Sequence, residues 1–369
     1  MSKVKNKRIA IIGAGNAGCV TALELLQREC ESCKAEITIY HNSKQNPIEK
    51  VGQGSLPPFP ELVYNILGIN WYDKNSIDAT VKTGILYEGW GKKQYEIFHP
   101  FAMNSIGAHF VPNKLSKAVL ESGLVNVVEK NIQDPEKEID ADYIFDCRGR
   151  HDRNKDNYSK LISPINAVLL SDRYKLPSDT LTHTRSVATP NGWTFIIPNK
   201  DTISYGYLYN SEITSRQVAE EDFVARFNVS HVKDQMKFES YYAKNMFVGE
   251  RTILQGNAYG FIEPLEATAV GFYQDLCLQA IENIFNGQSK IETNTRVRHW
   301  MKQIETFLLW HYQFGSQYDT PFWEYAKSLP FEMDDQFKYI MNNLDGNRKY
   351  YNLRASSFKN WNEGVSLIP

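Results

Sequence analysis

The sequence predicts a two-lobed α/β protein with a parallel, Rossmann-type sheet in its first lobe. Three observations carry this. RIAIIGAGNAG, residues 8–18, is a short apolar strand running into glycines and then a helical pattern. Strand signals of the same kind return at DYIFDCRGR, 142–150, and TILQGNAYGF, 252–261. The 369 residues also exceed the roughly 250–300 that a single core serves.

In the first motif each glycine has a mechanical task. Gly13 makes the tight turn, Gly15 lets backbone approach a pyrophosphate, and Gly18 lets helix pack on strand. The helix then runs through Ala22, Leu25 and Leu26, and its N-terminus suits an anion. Strand before and helix after make this a dinucleotide site. EITIY, 36–40, is the second strand, but Tyr40 and His41 stand where an acid for the ribose hydroxyl is expected. His41 is then the candidate ribose partner. Two later returns to the core, near Asp146 and at Gly256, Asn257 and Ala258, are the pattern of two-domain FAD proteins. The expected division is 1–150 with 245–290 as the FAD-binding core, of glutathione-reductase or monooxygenase type. Residues 151–244 and 291–369 form a substrate lobe with a mixed sheet and helices.

Composition excludes several classes. A net charge of −2 offers no general attraction to nucleic acid or anionic membrane. No apolar run approaches the ~18 residues of a membrane helix. The basic start with its short apolar run breaks at glycine, too soon for a signal peptide, so a cytoplasmic setting is expected. Five scattered cysteines include one CxxC, Cys30 and Cys33, with no second pair to complete a zinc site, and no metal is expected.

FIEPLEATAV, 261–270, feeds a helix whose apolar face reads Val270, Tyr273, Leu276, Cys277, Ala280, Ile281 and Ile284. Gly287 is the stop signal and Thr268 the expected cap. In DATVKTGILYEGW, Ala79, Val81, Ile85 and Tyr87 read as one strand face and Lys82 as the other, ordinarily solvated, face.

At several points in one order the chain resembles the flavin-dependent halogenases, the tryptophan-halogenase-like branch of the FAD monooxygenase superfamily. GAGNAG is followed by VGQGSLP at 51–57, with Gln53 where the family usually has Glu. DATVKTGI resembles the strand carrying the family's active-site lysine, here Lys82, and FHPF at 98–101 resembles its HPF segment. NGWTFIIP at 191–198 keeps Trp193 of GWxWxIP, with Phe195 for the second tryptophan. FIEPLEATA is similar to PLExTG, with Ala269 for glycine. LLWHYQFGSQYDTPFW at 308–323 is similar to HYxxxxRxDTPFW, with Gln317 for arginine.

The resemblance implies FAD held by Gly13, Gly15, Ala17, Gly18, His41, Gln53, Asn257 and Thr268. It implies a halide on the backbone N–H groups of Thr268 and Ala269, with alanine strained if φ there is positive. Reduced FAD comes from a separate flavin reductase and, with O₂, turns halide into hypohalous acid. That oxidant reaches Lys82 past Trp193, which separates flavin from substrate. Glu266, paired across to Lys82, takes the proton lost by an electron-rich aromatic ring lying against His99, Phe101 and Trp361. The segment after Trp323 is short, so a more open chamber with broad aromatic scope is expected. Two other readings stay open: an FAD-dependent aromatic monooxygenase that hydroxylates, favoured by Gln53, Phe195 and Ala269, and a redox-silent flavin-binding module. Halide, natural substrate and oligomeric state, a homo-oligomer included, are left open.

Overall fold

The computed structural model describes residues 6–28, 34–44, 51–102, 104–149, 155–351 and 353–365. The Cys30–Cys33 pair lies outside the described residues. The first lobe is a six-stranded sheet in the order Phe247–Val248, Thr252–Leu254, Tyr143–Asp146, Lys7–Ile12, Ala35–His41, Asn126–Glu129. All its pairings are parallel except that of the two strands nearest residue 250. The glycine-rich turn therefore leaves the sheet between its two most central parallel partners, as the motif required. Ile9, Ile11 and Ile12 are buried, which is why the strand reads as a continuous apolar run.

Helix Asn16–Gln27 follows the turn and packs beneath helix Thr268–Asn286. Buried amides stitch the two together. Gln274 Nε2 donates to Glu24 at 2.7 Å, and Gln255 Nε2 donates to Thr21 Oγ1 and to the Tyr273 carbonyl, both at 2.8 Å. Gly287, at φ 78°, ends the second helix as expected. Ser289 then caps helix Lys290–Gln313 by accepting from the Glu292 N–H at 3.1 Å.

The second lobe is a seven-stranded sheet in the order Asp234–Lys237, Ala167–Tyr174, Thr202–Tyr209, Gly192–Pro198, Thr184–Thr189, Gly84–Glu88, Glu96–Pro100. Residues 84–100 thus pair into this sheet, Thr184–Val187 running parallel to Ile85–Glu88. The expected boundary at residue 150 is not followed by the strands: the chain visits the second sheet before returning to the first. A small sheet of Gln53–Gly54, Gly107–Phe110 and Thr80–Lys82 joins the crossings. One apolar core runs through both lobes, from Ile11, Val20 and Phe145 to Trp90, Trp193, Trp323 and Trp361. A second cluster lies under helix Arg216–Phe227.

The tightest approach to backbone in the first lobe is at Gly18, where an added Cβ would lie 1.9 Å from the Gly13 carbonyl oxygen. Gly18→Ala should therefore lower stability by about 1–3 kcal/mol, as expected for overpacking against fixed backbone. Chemical denaturation checks this; an unchanged midpoint would mean that helix and turn separate freely.

Candidate active site

Two groups of residues meet the description of a site. The first is the glycine cradle. Gly13 has φ +102°, in the region that favours glycine. Gly15 is the N-cap of helix Asn16–Gln27, with no side chain capping its N–H groups and open space where a Cβ would point. Asn16 is buried, yet its side-chain oxygen and nitrogen have no hydrogen-bond partner. Uncapped donors, an orphaned amide and an open approach are what a phosphate-bearing dinucleotide would complete. Gly256, at φ +59°, brings the third strand–turn unit against the first, since a Cβ there would meet Ala17 Cβ at 2.3 Å. Asn257 follows, its side-chain oxygen accepting from Tyr273 at 2.9 Å and its carbonyl from Tyr241 at 2.7 Å. Gln53 and His41 are half-buried at strand ends. Gly13, Ala17, Gly18 and Asn257 thus converge in one place.

The second group surrounds Lys82. The polar face of its strand is not solvated: Lys82 is 0% exposed and its Nζ has no hydrogen-bond partner. Phe101, His109 and Thr184 cover the Lys82 side of the strand, so position on a strand face does not decide exposure here. Nζ lies 5.4 Å from the centre of the Phe101 ring, and the space beside Gly54 holds Nζ, Thr184 Oγ1 and the His109 ring. His109 Nε2 and Thr184 Oγ1 are 3.0 Å apart. Burial lowers the Lys82 pKa to about 7, against the opposing pull of the Glu266 carboxylate.

Glu266 feels Lys82 through space but is held by other groups. The Tyr87 hydroxyl donates to its Oε1, and His311 Nε2 stands 3.1 Å from the same oxygen. His311 Nδ1 donates to the Phe307 carbonyl at 2.7 Å, so its hydrogen is committed there. Nε2 is therefore the nitrogen that can share a proton with Glu266. Burial would raise the Glu266 pKa, but His311, His99 and Tyr87 outweigh it, and the carboxyl ends below its ordinary value. The expected direct pair with Lys82 is thus replaced by a carboxylate braced by tyrosine and histidine. Tyr87 and His311 were missed as functional candidates, although His311 stands in the quoted HY motif. Nothing in a linear sequence links either to residue 266.

His99 and Trp361 pack against this group on the side of Tyr87 and His311. His99 lies 5.0 Å from Tyr87, and Trp361 lies 4.8 Å from Tyr87 and 4.3 Å from His311, ring centre to ring centre. Burial lowers the His99 pKa to about 4, partly opposed by Glu266. Neither of its ring nitrogens has a partner, nor does Trp361 Nε1. Helix Ala355–Val365 carries Trp361 inward to 0% exposure, so the short C-terminal segment does not leave the chamber open. His99 and Trp361 stand edge to face at 5.9 Å. An aromatic ring stacked between two others needs about 7 Å, two contacts of ~3.5 Å, so these two must part to admit one.

The helix start at 268 also differs from expectation. Ala267, not Thr268, is the N-cap, with φ 52° and no side-chain cap bond. Thr268 is the first helical residue and is buried, with half-buried Ala269 after it. The backbone strain expected at Ala269 therefore falls on Ala267, at roughly 1–2 kcal/mol for a non-glycine residue in this region. Phe195 lies across its strand partner Gly206, whose missing Cβ would sit 2.1 Å from the ring. Gln317 donates to the Gly91 carbonyl at 3.0 Å. Among the described residues no group of three or more His, Cys, Asp or Glu could hold a metal ion. No described helix is long and apolar enough to cross a membrane.

The tryptophan halogenase family matches this chain over residues 8–121 and 106–365. The chain belongs to that family. Tryptophan 7-halogenase RebH of Lentzea aerocolonigenes is 24% identical over 211 residues, a match covering 50% of this chain and 40% of RebH. A flavin-dependent halogenase from Xanthomonas campestris superposes with a TM-score of 0.80 at 17% identity, over 99% of this chain and 90% of that one. BrvH, a flavin-dependent halogenase from Brevundimonas sp. BAL3, gives the same TM-score and identity, over 99% and 91%. At these identities the structural likeness establishes a shared fold.

The site's electrostatics make a test of their own. In the folded chain Lys82 loses its proton near pH 7, whereas unfolded it keeps it to ordinary lysine values. Between those limits the unfolded state binds the extra proton, so this residue's contribution to stability rises with pH. Lys82→Met should therefore raise Tm, with a gain largest below pH 7 and shrinking toward pH 10. A gain independent of pH, measured by scanning calorimetry, would contradict the buried ammonium.

Proposed function

We propose that the chain is a flavin-dependent halogenase acting on an electron-rich aromatic ring. The observation that carries this is Lys82, a buried amine without a hydrogen-bond partner, set among Phe101, His109 and the field of Glu266. A lysine kept dry and unpaired costs stability and is retained where chemistry needs it.

FAD would be held by Gly13, Gly15, Ala17, Gly18, His41, Gln53, Asn257 and the N–H of Thr268. Reduced FAD, supplied by a separate reductase in a cytoplasmic setting, would with O₂ provide the oxidising power that converts halide to hypohalous acid. The uncapped N-terminus at Thr268 and Ala269 offers N–H donors for the halide, chloride, bromide or iodide. Lys82, able to be ammonium or amine near neutral pH, hydrogen-bonds the hypohalous acid and polarises it. The ring carbon attacks the halogen as the oxygen–halogen bond breaks, the departing hydroxide takes a proton from the Lys82 ammonium and leaves as water, and Glu266 receives the ring proton with His311 as the group that shares it. His99, Phe101 and Trp361 orient the ring, and Trp193 keeps it from the flavin. In this reading the flavin core draws on 1–83, 101–150 and 245–290, while 84–100 serves the substrate lobe with 151–244 and 291–369.

The purified protein supplied with FAD, a flavin reductase, NADH, O₂ and bromide should brominate members of an indole and phenol panel, read by mass spectrometry. Lys82→Ala should abolish product. Oxygenated products that survive Lys82→Ala would instead mark an aromatic hydroxylase.

A further inference from the structure

The loop that carries Glu266 carries a second buried carboxyl, Glu263, which the halogenation chemistry leaves unused. It is 1% exposed, and among the described residues no ion pair reaches it. Its Oε1 accepts from the Tyr312 hydroxyl at 2.5 Å, and its Oε2 lies 2.5 Å from Ser163 Oγ. Tyr312 Oη also lies 2.8 Å from Trp193 Nε1.

The directions of these bonds are dictated by donor inventory. An indole nitrogen only donates, so Tyr312 Oη accepts from Trp193 and must spend its own hydrogen on Glu263. At the other end Ser163 Oγ can donate to the Ile165 carbonyl, 3.1 Å away. A neutral Glu263, with its proton on Oε2, then completes an unbroken series: Trp193 to Tyr312 to Glu263 to Ser163 to Ile165. Every hydrogen has an acceptor. An ionised Glu263 would take the Ser163 hydrogen and strip the Ile165 carbonyl of it. Burial pushes the Glu263 pKa up to about 7, against the pull of its two hydroxyl neighbours, so the neutral series prevails below neutral pH. Three residues along, the histidines and Tyr87 take Glu266 the other way. Two glutamates on one loop thereby acquire different tasks.

We propose that Glu263 is a positioning residue that acts through Tyr312 to fix the Trp193 indole. This rests on the halogenase reading for its purpose, since Trp193 there keeps flavin and substrate in separate spaces while the oxidant passes between them. Glu263 touches neither. Its carboxyl sets the hydroxyl direction of Tyr312, and that hydroxyl sets the plane of the indole. Because the group acts as a neutral acid, glutamine can replace it: the amide oxygen accepts from Tyr312 and the amide nitrogen donates to Ser163.

The test reads Trp193 directly. The chain has seven tryptophans, and the Trp193 indole N–H resonance is assigned by its loss in Trp193→Phe. Glu263→Leu should move that resonance upfield and speed its hydrogen exchange, while those of the distant Trp71 and Trp300 stay in place. Glu263→Gln should leave it unmoved. In turnover with bromide, Glu263→Leu should yield several-fold less brominated product per NADH consumed, with more hypobromous acid trapped in solution, and Glu263→Gln should restore the ratio. A Trp193 resonance unmoved in Glu263→Leu overturns the proposal, and so does one that moves while the product ratio holds. Should Glu263→Leu fail to fold, Tyr312→Phe removes a single oxygen from the same link and is judged by the same resonance. The spectra need no turnover, so failure of the halogenase reading is seen separately, as absence of product from the unaltered chain.

Discussion

The site depends on one loop that takes two carboxyl groups out of water within three residues of each other. Removing an isolated carboxylate from water costs several kcal/mol even after relaxation. The loop is viable only because each group finds its own compensation. Glu266 lies beside His311, His99 and the Tyr87 hydroxyl, while Glu263 is met by Tyr312 and Ser163. These partners come from two strands of the second sheet, the segment after residue 160 and the long helix Lys290–Gln313. Burying the loop correctly therefore requires both lobes to be assembled.

The same loop turns sharply into a helix, and the turn costs strain. Ala267 adopts φ 52° where glycine would sit without cost, and it is followed at once by the N-terminus of Thr268–Asn286. The N–H groups of that end have no side-chain cap. At helix Asn16–Gln27 the end is likewise uncapped at Gly15. Neither helix start is capped by a side chain, and Gln274 and Glu24 pack the two helices together.

Beside Glu266 and its partners the Trp90 and Trp323 indoles are anchored at their polar ends. Trp90 lies 5.2 Å from Trp323 and 5.7 Å from Trp361, and its own N–H is held by the Ser186 carbonyl at 3.1 Å. Trp323 Nε1 likewise donates to the Thr189 carbonyl at 2.8 Å. Indoles anchored at their polar ends do not rotate freely. Lys82 and His99, which feel the same Glu266 carboxylate, and the Trp361 N–H, whose ring lies against His99, are unpartnered polar groups among the described residues.

What the sequence determined by itself was local and periodic. The strand–glycine–helix motif at residues 8–18, the strands ending at Tyr40 and Asp146, and the helix stopping at Gly287 depend on short-range sterics and on apolar period, which a linear chain displays. The family resemblance also identified Lys82, Glu266, His99, Trp193 and Trp361 as residues to watch; Lys82 and His99 both feel the Glu266 carboxylate, and His99 lies against Trp361. Tertiary structure decided the rest. The strand Gly84–Glu88 joins the second sheet because its partner comes from residue 184 onward, a pairing that no local pattern encodes. Lys82 is dry because the second lobe closes over its sheet, although its strand face reads as polar. Glu266 meets His311 rather than Lys82 because the long helix passes beside the loop. Burial and pairing are properties of what lies across space from a residue, and a sequence records only what lies beside it along the chain.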